Sequence, residues 1–536
     1  MLNKYLEKYA LWLALLLAGI FFTQGFFGNF HKSLTWDEPS YIGAGYTYLK
    51  WNDFRLNPSH PPLMQELAAL PLLFMDLKVP SPEDVAFRNN VNPVVAFGRL
   101  FLFESGNDFL QITRLARLPA LLLGSILILA IYQWGAHLYG KVPALTAAAF
   151  AAFSPNLLAH AKVATEDMGC SVLMFLAVWA LWHAFQNGRF INWLVCGLVT
   201  GLALLAKYTA LLLGPIFLFL AVGFWWPRRR DIDLHCFLKG GVIVLTTAVL
   251  VIGAGYNFSF DYSLYWGGLK KIYSDYPQGM QYYLFGKVLD KPVWYYYLAA
   301  YIVKVPVPIM IMLVLSFLSV VRSRARNEAS LFMLVPVICI ILVTFFDRHN
   351  LGLRRILPLF PFLLLFLAEA TVSRQGRRGA MLVTVLLGWM VFEAWNIYPH
   401  HLSYINSFAG GPKQGPYLLD DSNIDWGQDL PGLAAWQKKN YGGRPIKLFY
   451  NGMADPVAYG INPLQMDQKE ILYPQPGVYA ISAHNLVWFR TIKINQGYDV
   501  DWLTKYQPVA QAGYSIYIYD FPRSRRFPGS NSTGRR

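Results

Sequence analysis

The feature that most constrains this chain is a series of long apolar blocks separated by short hydrophilic breaks. Eleven such blocks lie at approximately 10–27, 118–135, 142–159, 168–185, 190–206, 208–226, 240–256, 301–320, 331–346, 356–372 and 380–398. About 20 apolar residues in a helix cover the ~30 Å hydrocarbon core of a bilayer. Backbone groups at that depth must bond within the segment, so each block reads as a spanning helix. Composition agrees: 55% of the 536 residues are hydrophobic and 14% charged, against roughly 25% charged in soluble domains. Disordered, collagenous and disulfide-scaffold classes are excluded. The four cysteines (Cys170, Cys196, Cys236, Cys339) lie in or beside apolar blocks and show no zinc spacing.

The net charge of +15 does not indicate nucleic acid, because much of it sits in the breaks, where it sets topology. With the N-terminus inside, alternate breaks carry Lys141, Arg189, Arg228–Arg230, Arg322, Arg324 and Arg326, then Arg374, Arg377 and Arg378. The first block has basic flanks (Lys4, Lys8) and no small-residue cleavage site, and reads as a retained anchor. This topology assigns 28–117, 257–300 and everything after 398 to the outer face. Residues 63–76 are too short to span and read as an interfacial helix, and 292–304 as an aromatic belt. The expected division is a transmembrane domain over 1–398 with 28–117 as its first outer loop, then a small extracytoplasmic α/β domain over 399–522. Its strands are expected near 446–450, 478–481 and 514–519. A basic tail, 523–536, reads as disordered.

Two acidic pairs stand at the expected outer face: Asp37-Glu38, after the first span, and Glu166-Asp167, at the mouth of the fourth. Adjacent carboxylates can divide proton abstraction and orientation between them. Either pair also has a plain structural reading, a loop turn before Pro39 or a helix cap. Basic residues gather on the same side: His60, Lys162, Lys207, Lys304, Arg348, His349, Arg354 and Arg355. Lys207 and Lys304 are equally well read as snorkelling to headgroups. The arginines at 348–355 oppose the positive-inside bias, which an anionic ligand would explain, and guanidinium suits phosphate. No Asp, Glu, Lys or Arg sits near the middle of any block, which disfavours a pump.

At these residues the chain resembles the dolichyl-phosphate-mannose protein mannosyltransferase superfamily, glycosyltransferase family 39, in its bacterial branch near the lipid A aminoarabinose transferases. The resemblance rests on Asp37-Glu38, His60-Pro-Pro-Leu63, Arg114-Leu-Ala-Arg117-Leu-Pro, Ala164-Thr-Glu-Asp167-Met, Gly201-Leu-Ala-Leu-Leu-Ala-Lys207 and Arg354-Arg-Ile-Leu-Pro-Leu-Phe-Pro361. It implies a GT-C membrane fold and inverting sugar transfer from a polyprenyl-phosphate carrier to a lipid, glycan or protein hydroxyl. The resemblance implies that the reaction takes place at the outer face of the inner (plasma) membrane. It implies Asp37 as general base with Glu38 and Asp167 in support, and His60 and Lys207 near the carrier phosphate. Arg348, Arg354 and Arg355 join the phosphate set, Glu166 is a supporting acid, and Arg117, Lys162 and Lys304 are secondary. The segments 398–406 and 419–429 resemble bacterial relatives, and the repeat domain of eukaryotic members is absent.

Divalent metal stays open: Asp37, Glu38, His60 and His349 offer oxygen and nitrogen ligands without diagnostic spacing. A lipid-linked sugar flippase or glycan exporter is the alternative class. It needs a polar path through the bilayer that these apolar blocks do not offer. A glycan-binding module centred on 399–536 is a third.

Overall fold

The computed structural model describes residues 2–81, 92–230, 234–274, 281–323, 328–347, 349–374 and 376–522. Every apolar block is helical, but not every one is a straight span. Among the described residues, seven helices are long and apolar enough to cross a membrane: Tyr5–Asn29, Phe109–Tyr139, Glu166–Asn187, Tyr208–Arg228, Leu234–Gly255, Leu353–Val372 and Arg377–Ile397. Two more blocks are bent pairs, Lys141–Ala152 with Pro155–Ala161 at 60° and Tyr296–Lys304 with Val307–Arg322 at 113°. Proline explains both breaks: Pro155 and Pro306 stand where the backbone turns, and a proline cannot donate to the preceding turn. The remaining two blocks are the shorter helices Phe190–Ala206 and Glu328–Thr344. The chain is a multi-span membrane protein.

Two spans form the centre. Glu166–Asn187 and Leu353–Val372 are the most enclosed of the seven, and they pack against each other. A helix apolar on all sides has no solvent-facing stripe and belongs inside a bundle. Their N-terminal ends are where the charged motifs lie, so the interior of the bundle carries those charges to its rim.

The first loop adds helices Glu38–Trp51 and Leu63–Ala69, the latter continued by a tighter turn Leu70–Phe74. A short hairpin pairs β1 (Tyr282–Leu284) with β2 (Lys287–Leu289). The C-terminal region holds β3 (Ile446–Phe449), β4 (Pro463–Gln465), β5 (Gly477–Ser482), β6 (Ala510–Ala512) and β7 (Ile516–Phe521) in a mixed sheet of order β4-β3-β5-β7-β6. β4, β3 and β5 run parallel, and β7 is antiparallel to β5 and β6. Helices Leu430–Tyr441 and Ala483–Gln496 complete a small α/β unit. Strands β3, β5 and β7 fall on the three expected runs; β4 and β6 are short edge strands whose three residues carry no readable alternation. The basic tail lies outside the described residues, as do Arg324 and Arg326.

Candidate active site

Asp37 occupies the N-cap position of helix Glu38–Trp51, with Pro39 in the first turn, but its carboxylate does not cap that helix. It accepts instead from Arg354 Nη1 at 2.9 Å. The same nitrogen stands 3.9 Å from Asp167 Oδ2, so one guanidinium bridges two acids that lie 130 positions apart in sequence. Glu166 and Asp167 form the first turn of their helix, where the helix dipole favours anions. Lys207 terminates helix Phe190–Ala206, where the dipole favours a cation. Its ammonium lies 2.6 Å from Asp167 Oδ1 and 2.9 Å from Glu166 Oε1. Glu166 Oε2 meets His60 Nδ1 at 2.9 Å and accepts from Tyr41 Oη–H at 2.9 Å.

The result is a chain of alternating charge, Asp37, Arg354, Asp167, Lys207 and Glu166, with the His60 ring at its end. Access divides it. The side chains of Asp37 and His60 are each 26% exposed and those of Arg354 and Lys207 19%, while Glu166 is 5% and Asp167 1% exposed. Asp37 is therefore the acid of this cluster that a substrate can reach, and Asp167 and Glu166 hold the cations from beneath. Tyr41 was not legible as a site residue, although it stands one helical turn after Asp37. Burial raises its pKa well above the ordinary value, and the Glu166, Asp37 and Asp167 carboxylates add to this. It stays a phenol and a donor.

Arg354 is aimed by its neighbours. Gly352 adopts φ +56°, and a Cβ there would lie 2.2 Å from Ser422 Oγ. Only glycine lets this turn pass so close to the C-terminal region. Leu353 N–H donates to Asn423 Oδ1 at 3.0 Å, and the guanidinium lies 4.4 Å from the centroid of Trp426. The segment 426–428 also binds the acidic loop: Trp36 N–H donates to Trp426 O at 2.9 Å and Ser33 N–H to Gln428 O at 3.0 Å. Trp426 thus roofs the site. It lies some 70 residues beyond Arg354, and no spacing in the sequence marks it.

Several expected site residues are placed elsewhere. Glu38 is fully buried and saturated by five donors: Arg117 Nε and Nη2, both at 2.7 Å, Ala164 N–H at 2.8 Å, and the Thr35 amide and hydroxyl at 2.7 and 3.1 Å. This pair ties the first loop to two distant segments and leaves neither partner for a substrate. Lys162 is buried against Pro399 O (2.6 Å) and His401 Nδ1 (3.1 Å). Burial, aided by Lys32 and Arg117, pushes its pKa well down. Lys304 donates to Leu402 O at 2.8 Å and to Asn423 O. Arg355 faces Asp347 at 3.2 Å, where His349 also approaches. Arg348 lies outside the described residues. Among the described residues, no group of three or more His, Cys, Asp or Glu side chains is arranged to hold a metal ion.

A second buried pair, Lys32 with Asp429, joins the first loop to the C-terminal region and includes His400. Burial alone would raise the Asp429 pKa, but Lys32 and His400 hold the carboxyl below its usual range.

The chain is thus a polytopic helical bundle with its acidic loop and charged span ends gathered at one rim. Residues 109–252 match the family model described as dolichyl-phosphate-mannose-protein mannosyltransferase, a stretch that includes Arg117, Glu166, Asp167 and Lys207. Among solved structures, the chain is similar to ArnT from Cupriavidus metallidurans in the apo state, with TM-score 0.50 and 14% identity over 94% of this chain and 96% of that one. The same enzyme bound to undecaprenyl phosphate gives 0.48 and 12% over 94% and 97%. The oligosaccharyltransferase of Archaeoglobus fulgidus tethered with an acceptor peptide gives 0.48 and 11% over 87% and 60%. No protein of curated function matches by sequence. The resemblance drawn from the motifs and the GT-C fold it implied are both borne out.

Proposed function

We propose that this chain moves a sugar from a polyprenyl-phosphate carrier to a hydroxyl acceptor, with inversion, at the outer face of the plasma membrane. The observation that carries the reading is the division of access within the charged cluster. One reachable carboxylate, Asp37, is held at 2.9 Å by Arg354, beside partly exposed Lys207 and His60. The matched family is named for a sugar carried on a polyprenyl phosphate, which supports the donor class.

In this mechanism Asp37 takes the proton of the acceptor hydroxyl as its oxygen bonds to the anomeric carbon. The bond from that carbon to the phosphate oxygen breaks on the opposite face, and the electron pair leaves with the phosphate. A phosphodiester of charge −1 becomes a monoester approaching −2. Arg354, Lys207 and His60 are the cationic and donor groups poised for that developing charge, the term that usually contributes most to such a reaction. Asp167 and Glu166 position Arg354 and Lys207. The acceptor is a lipid, glycan or protein hydroxyl.

Asp37→Asn is expected to insert and bind carrier normally while losing transfer by about 10²–10⁴-fold. Release of carrier phosphate from a radiolabelled prenyl-phosphate sugar measures this; a variant with full turnover would remove Asp37 from the role of base.

A further inference from the structure

A cavity of about 270 Å³ lies between the end of helix Leu2–Asn29, the start of helix Phe109–Tyr139 and the C-terminal α/β region. None of Asp37, His60, Asp167, Lys207 or Arg354 lines it. Its volume is just below the range of ligand sites, roughly 300–1,000 Å³, and suits a headgroup better than a whole lipid. Three wall groups have hydrogen-bonding or charge capacity to spare. Asn29 is 6% exposed, and its Oδ1 has no hydrogen-bond partner among the described residues. A buried acceptor left unmade is costly and calls for a donor. Arg114 is exposed, stacks 4.5 Å from the Phe30 centroid and pairs with no carboxylate among the described residues. Tyr459 Oη accepts from Leu34 N–H at 3.1 Å, so its own hydrogen remains to be donated.

Position selects the ligand. Asn29 is the last residue of one span, and the Phe109–Tyr139 helix has 31 residues. That is ~46 Å of helix, against ~30 Å of hydrocarbon, so its first turns project into the headgroup layer. Phe27, Phe30 and Leu110 are exposed around this rim. Lys32 also lines the cavity but is engaged by Asp429, so Arg114 is the charged wall group without a carboxylate partner among the described residues, and a cationic wall group disfavours an ammonium headgroup.

We propose that this cavity binds a phosphodiester with a hydroxylated headgroup, a phosphoglycerol lipid of the surrounding membrane, its phosphate on Arg114 and Tyr459 and its hydroxyl donating to Asn29. Pro431, Ala434 and Tyr459 of the C-terminal region share the wall with span ends, so occupancy fastens that region to the bilayer surface. The site is independent of the reaction assigned to Asp37.

The test titrates the purified full-length chain with lipid and reads thermal stabilisation. Phosphatidylglycerol vesicles should stabilise it more than phosphatidylcholine vesicles, and more than phosphatidylmethanol, which has the same charge and no hydroxyl. Arg114→Ala should weaken the apparent affinity for phosphatidylglycerol tenfold or more, the loss of one charge-assisted contact. Asn29→Leu should abolish the preference over phosphatidylmethanol alone. Equal response to phosphatidylglycerol and phosphatidylcholine would overturn the site. An undiminished hydroxyl preference in Asn29→Leu, or unchanged affinity in Arg114→Ala, would do the same. Stabilisation by soluble glycerol phosphate matching that of the vesicles would overturn the lipid assignment. Arg114 is a surface residue, so its variant remains informative should Asn29→Leu fold poorly.

Discussion

Asp37 and Glu38 are neighbours in sequence and opposites in environment. Glu38 has every lone pair engaged and no water contact, and its partner Arg117 is as deeply buried. Removing one member of such a pair strands a buried charge, at a cost of about 3–5 kcal/mol. Asp37 shares a partly solvated arginine that Asp167 also faces, and a pair that water still reaches contributes less than a buried one, on the order of 1 kcal/mol. Glu38→Ala is therefore expected to lower the melting temperature strongly, and Asp37→Asn to leave it nearly unchanged while removing transfer. Thermal unfolding of both variants in the same detergent checks this. Equal destabilisation would show that the two acids do not divide structure from chemistry in this way.

At the level of elements, the apolar blocks announced the helices because a membrane admits few alternatives. The strands announced themselves by alternation at β3, β5 and β7. What stayed hidden were relations between elements. Glu166-Asp167 and Arg354 were each visible as charged residues at helix ends, but their meeting depends on two spans packing side by side. The resemblance alone set Lys207 ahead of Lys162 and Lys304, because sequence does not state which lysine ends against carbonyls and which against carboxylates. The C-terminal unit offers a test that needs no substrate. His484, at the start of helix Ala483–Gln496, sits 3.0 Å from Asp420 Oδ1. The Asp420 charge raises its pKa to about 9 against the opposing effect of burial. A raised folded-state pKa gives stability that is complete below the unfolded value of ~6.5 and fades as pH climbs through about 9. The ring is partly exposed, so solvent screening holds the loss on the order of 1 kcal/mol. Melting curves between pH 6 and pH 10 should decline for the native chain and flatten for His484→Gln. Parallel curves would mean the ion pair contributes nothing.

Across the whole molecule, the site is a joint rather than a pocket within one part. Residues 33–36 of the first loop bond to 426–428 of the C-terminal region, and Trp426 covers the arginine that holds Asp37. The C-terminal unit therefore acts on the acidic loop through backbone contacts. Gly427 is the residue on which the joint turns. It adopts φ +88°, its carbonyl accepts from Ser33 Oγ at 2.7 Å and from Tyr450 Oη at 2.6 Å, and a Cβ would stand 2.6 Å from Tyr450 Oη and 3.0 Å from Asn451 O. A side chain in left-handed backbone costs roughly 1–2 kcal/mol before any clash. In Gly427→Ala the strain should appear as local opening, because a locally closed structure loses protection in proportion to its opening free energy. The Ser33 and Trp36 amides, protected by Gln428 O and Trp426 O, are expected to exchange about tenfold faster or more. Amides within the Glu166–Asn187 span should not change. Transfer should fall together with that protection, since a loosened 33–36 segment no longer fixes Asp37 against Arg354. Faster exchange with undiminished turnover would separate the joint from the chemistry and leave the C-terminal unit a role in acceptor contact alone.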